Sequence, residues 1–278
     1  MIIDSHVHWG KSIWGDFKPE YLLDIIADVD FAICSNLEGI DSPVFKNEYD
    51  CNIQMLKVSK KYPKLKPLYV CQPNLVEDVS LAREFLEKYS EIIGLKIHPE
   101  CMKLPADSDK YDKYLKLAQE FNKPCLYHSG HIKSRFSSPK LIYKKAQEFP
   151  SVPIILGHLS TGPKQSHMEA IEILLDSIEN QKANLYVDTS WIDFAYEQLN
   201  ETMEDTLMLI EALRNTSKGD YTHKILWASD CPVGKFNQEK SSYSKNLEVF
   251  KLRVLEKFKS EELLNNLLSR NARKLYGF

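Results

Sequence analysis

The stretch Ile2-Ile3-Asp4-Ser5-His6-Val7-His8 begins as an apolar run and closes on two histidines one residue apart. In a strand, residues i and i+2 face the same side, so the two imidazoles are set to converge. Seven later runs have the same build: Phe31–Ser35, Pro67–Cys71, Ile92–His98, Pro124–His128, Val152–His158, Asn184–Asp188 and Lys224–Asp230. Each is short and rich in apolar and β-branched residues, as buried parallel strands are. Their last residues are 27 to 42 positions apart, and a strand, a helix and two loops take about 30. Between them lie amphipathic stretches, such as the one carrying Ile171, Leu174, Leu175 and Ile178 on a single helical face. Eight βα units predict an α/β fold, one (β/α)8 barrel domain over residues 1–278. The competing open doubly wound sheet would show a glycine-rich phosphate turn after an early strand, and none occurs among only 10 glycines.

Composition narrows the function. Of 278 residues, 36 are Lys or Arg and 39 are Asp or Glu, for a net charge of -3. Nucleic-acid binders usually carry a basic face, so no nucleic-acid partner is expected. The most apolar stretches are broken by charges such as Asp24, Asp28 and Asp30, short of the ~20 apolar residues that a spanning helix needs. The start lacks the pattern of a signal peptide. No membrane partner and a cytoplasmic location are therefore expected. The six cysteines form no Cys-x-x-Cys and read as buried thiols of a reducing compartment.

Histidine is scarce, eight in all, and its placement carries the chemistry. His6, His8, His98, His128 and His158 close predicted strands, and Asp230 closes the eighth. In a barrel, strand C-termini form the face where active sites are built. Ionisable groups there are costly to bury without a partner. The competing account, unrelated core histidines satisfied by backbone groups, does not explain their shared position. Imidazole and carboxylate suit zinc, with iron, manganese and cobalt as alternatives. Such an ion lowers the pKa of a water toward ~7. Asp4 shares the parity of His6 and His8 and is expected to orient a histidine from below. Trp9, Trp14, Phe136, Trp191 and Tyr196 are candidates for an aromatic wall, with ordinary packing as the competing account. His131, Lys133 and Arg135 could hold an anion, or simply form a solvated loop. No G-x-S-x-G elbow supports a serine nucleophile. The long segments after Ser35 and after Asp188 are expected to cover the site.

The sequence resembles the amidohydrolase superfamily of metal-dependent barrel hydrolases. Within it, the chain is similar to the amidohydrolase-related branch, which includes decarboxylases like aminocarboxymuconate semialdehyde decarboxylase. The matching stretches are Ile3-Asp-Ser-His-Val-His8, Gly94-Leu-Lys-Ile-His-Pro99, Tyr127-His-Ser-Gly130, Leu156-Gly-His-Leu159, Tyr186-Val-Asp-Thr-Ser190, Ala228-Ser-Asp-Cys-Pro232 and Asn271-Ala-Arg-Lys-Leu-Tyr-Gly277. The resemblance implies His6, His8, His128 and Asp230 as metal ligands, Asp230 also as general base, and His158 as the catalytic histidine. It implies one Zn2+ in preference to two ions bridged by a carboxylated Lys96. Lys96, His98, Trp9, Arg135 and Trp191 are the candidate substrate contacts. The expected activity is hydrolysis of an amide, ester or lactone carbonyl in a small molecule. Non-oxidative decarboxylation is the alternative, favoured if an arginine, of which Arg135 is the candidate, faces the metal. A non-catalytic barrel is a third reading. The resemblance also raises a homodimer as the assembly.

Overall fold

The computed structural model describes residues 1–192, 203–233 and 239–278. Its strands are β1 (Ile3–Ser12), β2 (Gly15–Phe17), β3 (Phe31–Asn36), β4 (Leu65–Val70), β5 (Gly94–Ile97), β6 (Cys125–His128), β7 (Ile154–Gly157), β8 (Leu185–Asp188) and β9 (Ile225–Leu226). All eight expected runs are strands. They form one sheet in the order β2-β1-β3-β4-β5-β6-β7-β8-β9, parallel throughout except for the β1–β2 hairpin. The two ends of the parallel series meet. Ser5 N donates to Trp227 O at 3.0 Å, Asp230 N to His6 O at 2.8 Å and His8 N to Cys231 O at 2.7 Å. The sheet is thus closed through β1 and the segment after β9, and the fold is the α/β barrel that the spacing predicts.

Two layers explain the alternation along the strands. Ile3, Ile33, Leu68, Leu126, Ile155 and Leu226 cluster together, with Ala272 and Tyr276 of the C-terminal helix beneath them. This is the barrel floor, one side chain from each of six strands. The alternate residues, such as Val7, Cys34, Tyr69, Leu95, Tyr127 and Leu156, pack outward against the helices in the larger core. Two residues above the floor, on the same parity, stand Ser35, His128, Gly157 and Asp188.

Strand β1 breaks this parity once. Asp4 pairs with Ala32 and Val7 with Cys34, so β1 holds one extra residue there, a bulge. Ile3 therefore lies in the floor while His6 and His8 lie above it. Asp4 falls on the other side of the bulge and does not reach an imidazole, contrary to its expected role. Its carboxylate accepts from Ser229 Oγ at 2.6 Å, Ser229 N at 3.1 Å, Tyr243 OH at 2.9 Å and the His6 backbone N–H at 3.2 Å. It ties β1 to the segment that closes the barrel.

Trp9 is also placed by parity. It lies in the outer core beside Val7, and its indole N–H donates to Met55 Sδ at 2.8 Å. None of the six cysteines is in a disulfide. Among the described residues no helix is long and apolar enough to cross a membrane.

Below the barrel, Lys224 carries a stability cost that pH can expose. Its amine donates to Asn184 Oδ1 at 2.5 Å and sits 4.0 Å from the Tyr186 ring centre. Burial, helped by Lys274, lowers its pKa from 10.5 to about 8. Below about pH 8 the group is charged in both folded and unfolded chains, and the folded chain bears the burial cost. Between about pH 8 and 10.5 only the unfolded chain keeps the proton, so this group's contribution to stability rises with pH. Lys224→Met is expected to gain about 1–2 kcal/mol at pH 7, less than the full linkage value because two contacts are lost. The gain should shrink toward pH 10. Denaturant melts at both pH values measure it, and a destabilised variant at pH 7 would refute the argument.

Candidate metal centre

The strand ends deliver their polar residues to one point. The Nε2 atoms of His6 and His8 lie 3.1 Å apart. Asp230 Oδ1 is 3.4 Å from the first and 3.0 Å from the second. One ligand atom each from His6, His158 and Asp230 also fall within 4.8 Å of one another. Around a tetrahedral zinc with bonds of ~2.0–2.1 Å, neighbouring ligand atoms are ~3.3 Å apart. The donors present therefore fit such an ion in both type and spacing.

Each ring is held from behind. His6 Nδ1 faces Asp188 Oδ2 at 2.9 Å, which fixes the proton on Nδ1 and leaves the Nε2 lone pair for the cluster. His8 Nδ1 contacts Ser35 Oγ at 2.8 Å, and His158 Nδ1 contacts Ser190 Oγ at 2.8 Å. Asp188 has further work. Its Oδ1 accepts from the His158 backbone N–H at 2.9 Å, from Ser190 N at 3.1 Å and from Ser190 Oγ. Gly157 supplies the space for His6, since a Cβ there would stand 2.8 Å from Tyr127 O and 3.3 Å from His6 Cε1.

The backbone is strained at the same place. His158, Leu159, Trp191 and Asp230 all have positive φ, at 70°, 55°, 61° and 62°. Non-glycine residues adopt this conformation at a cost, and a cluster of them beside ionisable groups marks a built site.

Electrostatics keep the imidazoles neutral, the form that binds metal. Burial, aided by the Lys96 ammonium, pushes His6 and His8 well below their ordinary value and His128 down to about 3. Burial also pushes Asp230 well above the usual carboxylate range, against the pull of Lys96. Lys96 is buried, with its pKa lowered by burial to about 8, and its Nζ lies 2.6 Å from His6 Nε2. An ion bound at that nitrogen must displace this lysine contact.

The cluster borders a cavity of about 280 Å³ whose lining includes His8, Lys96, His98, His128, His158, Trp191 and Asp230. His128 stacks on His98 with ring centres 4.0 Å apart and meets His158 edge-on at 5.0 Å. His98 itself caps the short helix Pro99–Met102, its Nδ1 accepting from Cys101 N at 3.2 Å. Two expected substrate contacts stand apart. Trp9 belongs to the outer core. Arg135 is exposed, its guanidinium 4.5 Å from the Phe136 ring, and it does not line the cavity. Trp14 does line it, at the tip of the β1–β2 hairpin, whereas Tyr196 lies outside the described residues. A second acidic group, Asp109, Asp112 and Glu148, surrounds Lys145 Nζ at 3.7, 2.7 and 2.5 Å, so a lysine already fills it.

The sequence profile of the amidohydrolase family matches residues 3–278. No curated protein matches the chain. Among solved structures, an amidohydrolase from Burkholderia multivorans with bound zinc superposes with a TM-score of 0.71 at 11% identity, covering 100% of this chain and 99% of that one. A proposed 2-pyrone-4,6-dicarboxylic acid hydrolase from Pseudomonas putida superposes with a TM-score of 0.70 at 19% identity, covering 99% and 97%. A 2,6-dihydroxybenzoate decarboxylase complexed with 2,6-dihydroxybenzoate gives 0.67 at 13% identity, covering 100% and 99%. At these identities the likeness is one of fold.

Proposed function

Because this chain belongs to the amidohydrolase family, whose fold hosts both hydrolases and decarboxylases, we propose that it is a metal-dependent hydrolase of an amide, ester or lactone carbonyl in a small molecule. The observation that carries this reading is the triangle of His6 Nε2, His8 Nε2 and Asp230 Oδ1, with sides of 3.0 to 3.4 Å. His6, His8, His128 and Asp230 would hold one divalent ion, with zinc the preferred identity, and His158 stands close enough to join them. When bound, that ion would polarise a carbonyl and lower the pKa of a water. Asp230 would take the proton of the attacking water on its carboxylate and pass it to the leaving group. His158, anchored through Ser190, would polarise the substrate carbonyl.

Decarboxylation of a small carboxylic acid is the second reading, and Lys96 favours it as a buried cation able to hold a carboxylate. The position of Arg135 outside the cavity removes the arginine that this reading called for. Elemental analysis of metal per chain, followed by a panel of amides, esters, lactones and aromatic acids, tests the proposal. One ion per chain with turnover of a carbonyl substrate is expected. Two ions with added density on the Lys96 amine would replace the one-metal reading. A chain that stays metal-free after zinc loading would overturn it, and CO2 release from an acid would select the decarboxylase.

A further inference from the structure

Elsewhere in the cavity the lining changes character. Ile13, Trp14, Leu37, Ile40 and Val233 make it apolar, and Asp41 stands among them. The chain enters this wall through the turn after Leu37, where Asp41 N donates to Leu37 O at 2.8 Å. The carboxylate is partly buried, and its pKa is raised by burial alone. Among the described residues it makes no ion pair and no side-chain hydrogen bond.

That isolation is unusual for the cavity's charges. Lys96 and Asp230 attract each other beside His6. Lys96 is the sole Lys or Arg among the described lining residues. Asp41 is left as a net negative charge in an apolar wall, near enough to the Cys101 thiol to raise it. An unpaired carboxylate in such surroundings costs free energy that a cationic ligand group returns. Trp14 and Trp191 in the same lining are compatible with an ammonium, whose attraction to aromatic faces a carboxylate lacks.

We infer that Asp41 is a specificity-determining residue that selects small substrates carrying a primary ammonium group distal to the reacting carbonyl. The inference rests on the reading of this cavity as the substrate site. The reacting end engages the His6, His8 and Asp230 cluster, while the distal ammonium pairs with the Asp41 carboxylate. A distal carboxylate is repelled and a distal methyl gains nothing, so selection is a difference between paired and unpaired charge.

The test uses zinc-loaded protein and calorimetric titration at pH 7.5. The probes are ω-amino acids of four, five and six carbons, each matched with the unsubstituted alkanoate of equal length. The shared carboxylate engages the metal and Lys96 end, so the pair differs at the far end only. At one length or more, the amino acid is expected to bind about tenfold tighter than its alkanoate. Asp41→Asn should remove that difference while the alkanoate still binds. Equal affinities at every length overturn the inference, as does a difference that survives in Asp41→Asn. Loss of alkanoate binding in the variant also overturns it, by showing a structural role, and so does the absence of binding by every probe. Failure of the hydrolase reading shows separately, as absent turnover across the carbonyl panel while this binding comparison stands.

Discussion

The double variant His6→Ala/His8→Ala is expected to hold no zinc after metal loading and to lose at least ~10³-fold in kcat/KM, equivalent to ~4 kcal/mol of transition-state stabilisation. The two Nε2 atoms form one edge of the proposed ligand triangle, 3.1 Å long, and the substitution removes both. The loss leaves Asp188 with its three remaining donors, His158 N, Ser190 N and Ser190 Oγ. It leaves Ser35 Oγ without its imidazole partner, at a cost of about 1–3 kcal/mol. The floor cluster from Ile3 to Tyr276 is untouched, so a native circular dichroism spectrum with a lowered Tm is expected. Asp230→Asn gives the complementary result. It keeps the side-chain shape and removes the base, so activity should fall further than metal affinity does. Full zinc content in the double variant would refute the ligand assignment. Wild-type turnover by Asp230→Asn would refute its role as base.

How much of this was legible in the sequence depends on what each feature needed. A short apolar run ending in an ionisable residue is a local pattern, and it located the strands and the residues of the cluster. The same pattern was present at Asp188, which closes Asn184–Asp188, and at Ser35, which closes Phe31–Ser35. Their roles behind His6 and His8 were not read, because a hydrogen bond across 182 positions has no local signature. Trp9 was legible by parity: next to His8 in a strand, it must face the opposite side. Asp4 misled for the converse reason. The bulge between Asp4 and Val7 adds a residue and cancels the parity that linked it to His6. The β2 hairpin arm is three residues long, too short for a periodic signal. Strand β9 ends at Leu226 although the apolar run continues to Asp230, whose positive φ is incompatible with an extended chain. Asp41 and Arg135 lie in loops, where only the tertiary fold decides that one lines the cavity and the other faces solvent.

Asp188 is where the second large effect is expected. Asp188→Asn retains the size of the side chain but cannot accept the His6 Nδ1 proton with the strength of a carboxylate. The amide can also offer a donor to Nδ1, which would move the proton to Nε2 and close the lone pair that faces the cluster. Zinc affinity should fall about 10–100-fold, the range typical for partners that orient a ligating histidine. Competition with a chromophoric chelator measures that loss directly. The same substitution weakens the acceptor for His158 N, Ser190 N and Ser190 Oγ. Two strained residues of the site, His158 and Trp191, flank those contacts, and their positive φ persists only while neighbours hold it. A carboxylate that merely filled space would leave kcat unchanged once zinc is saturating. A residue that also sets the His158 backbone would not, and excess zinc should restore metal content in Asp188→Asn without restoring full kcat. Restoration of both would confine Asp188 to the orientation of His6. Unchanged zinc affinity would show that the His6 tautomer is fixed by the ion alone.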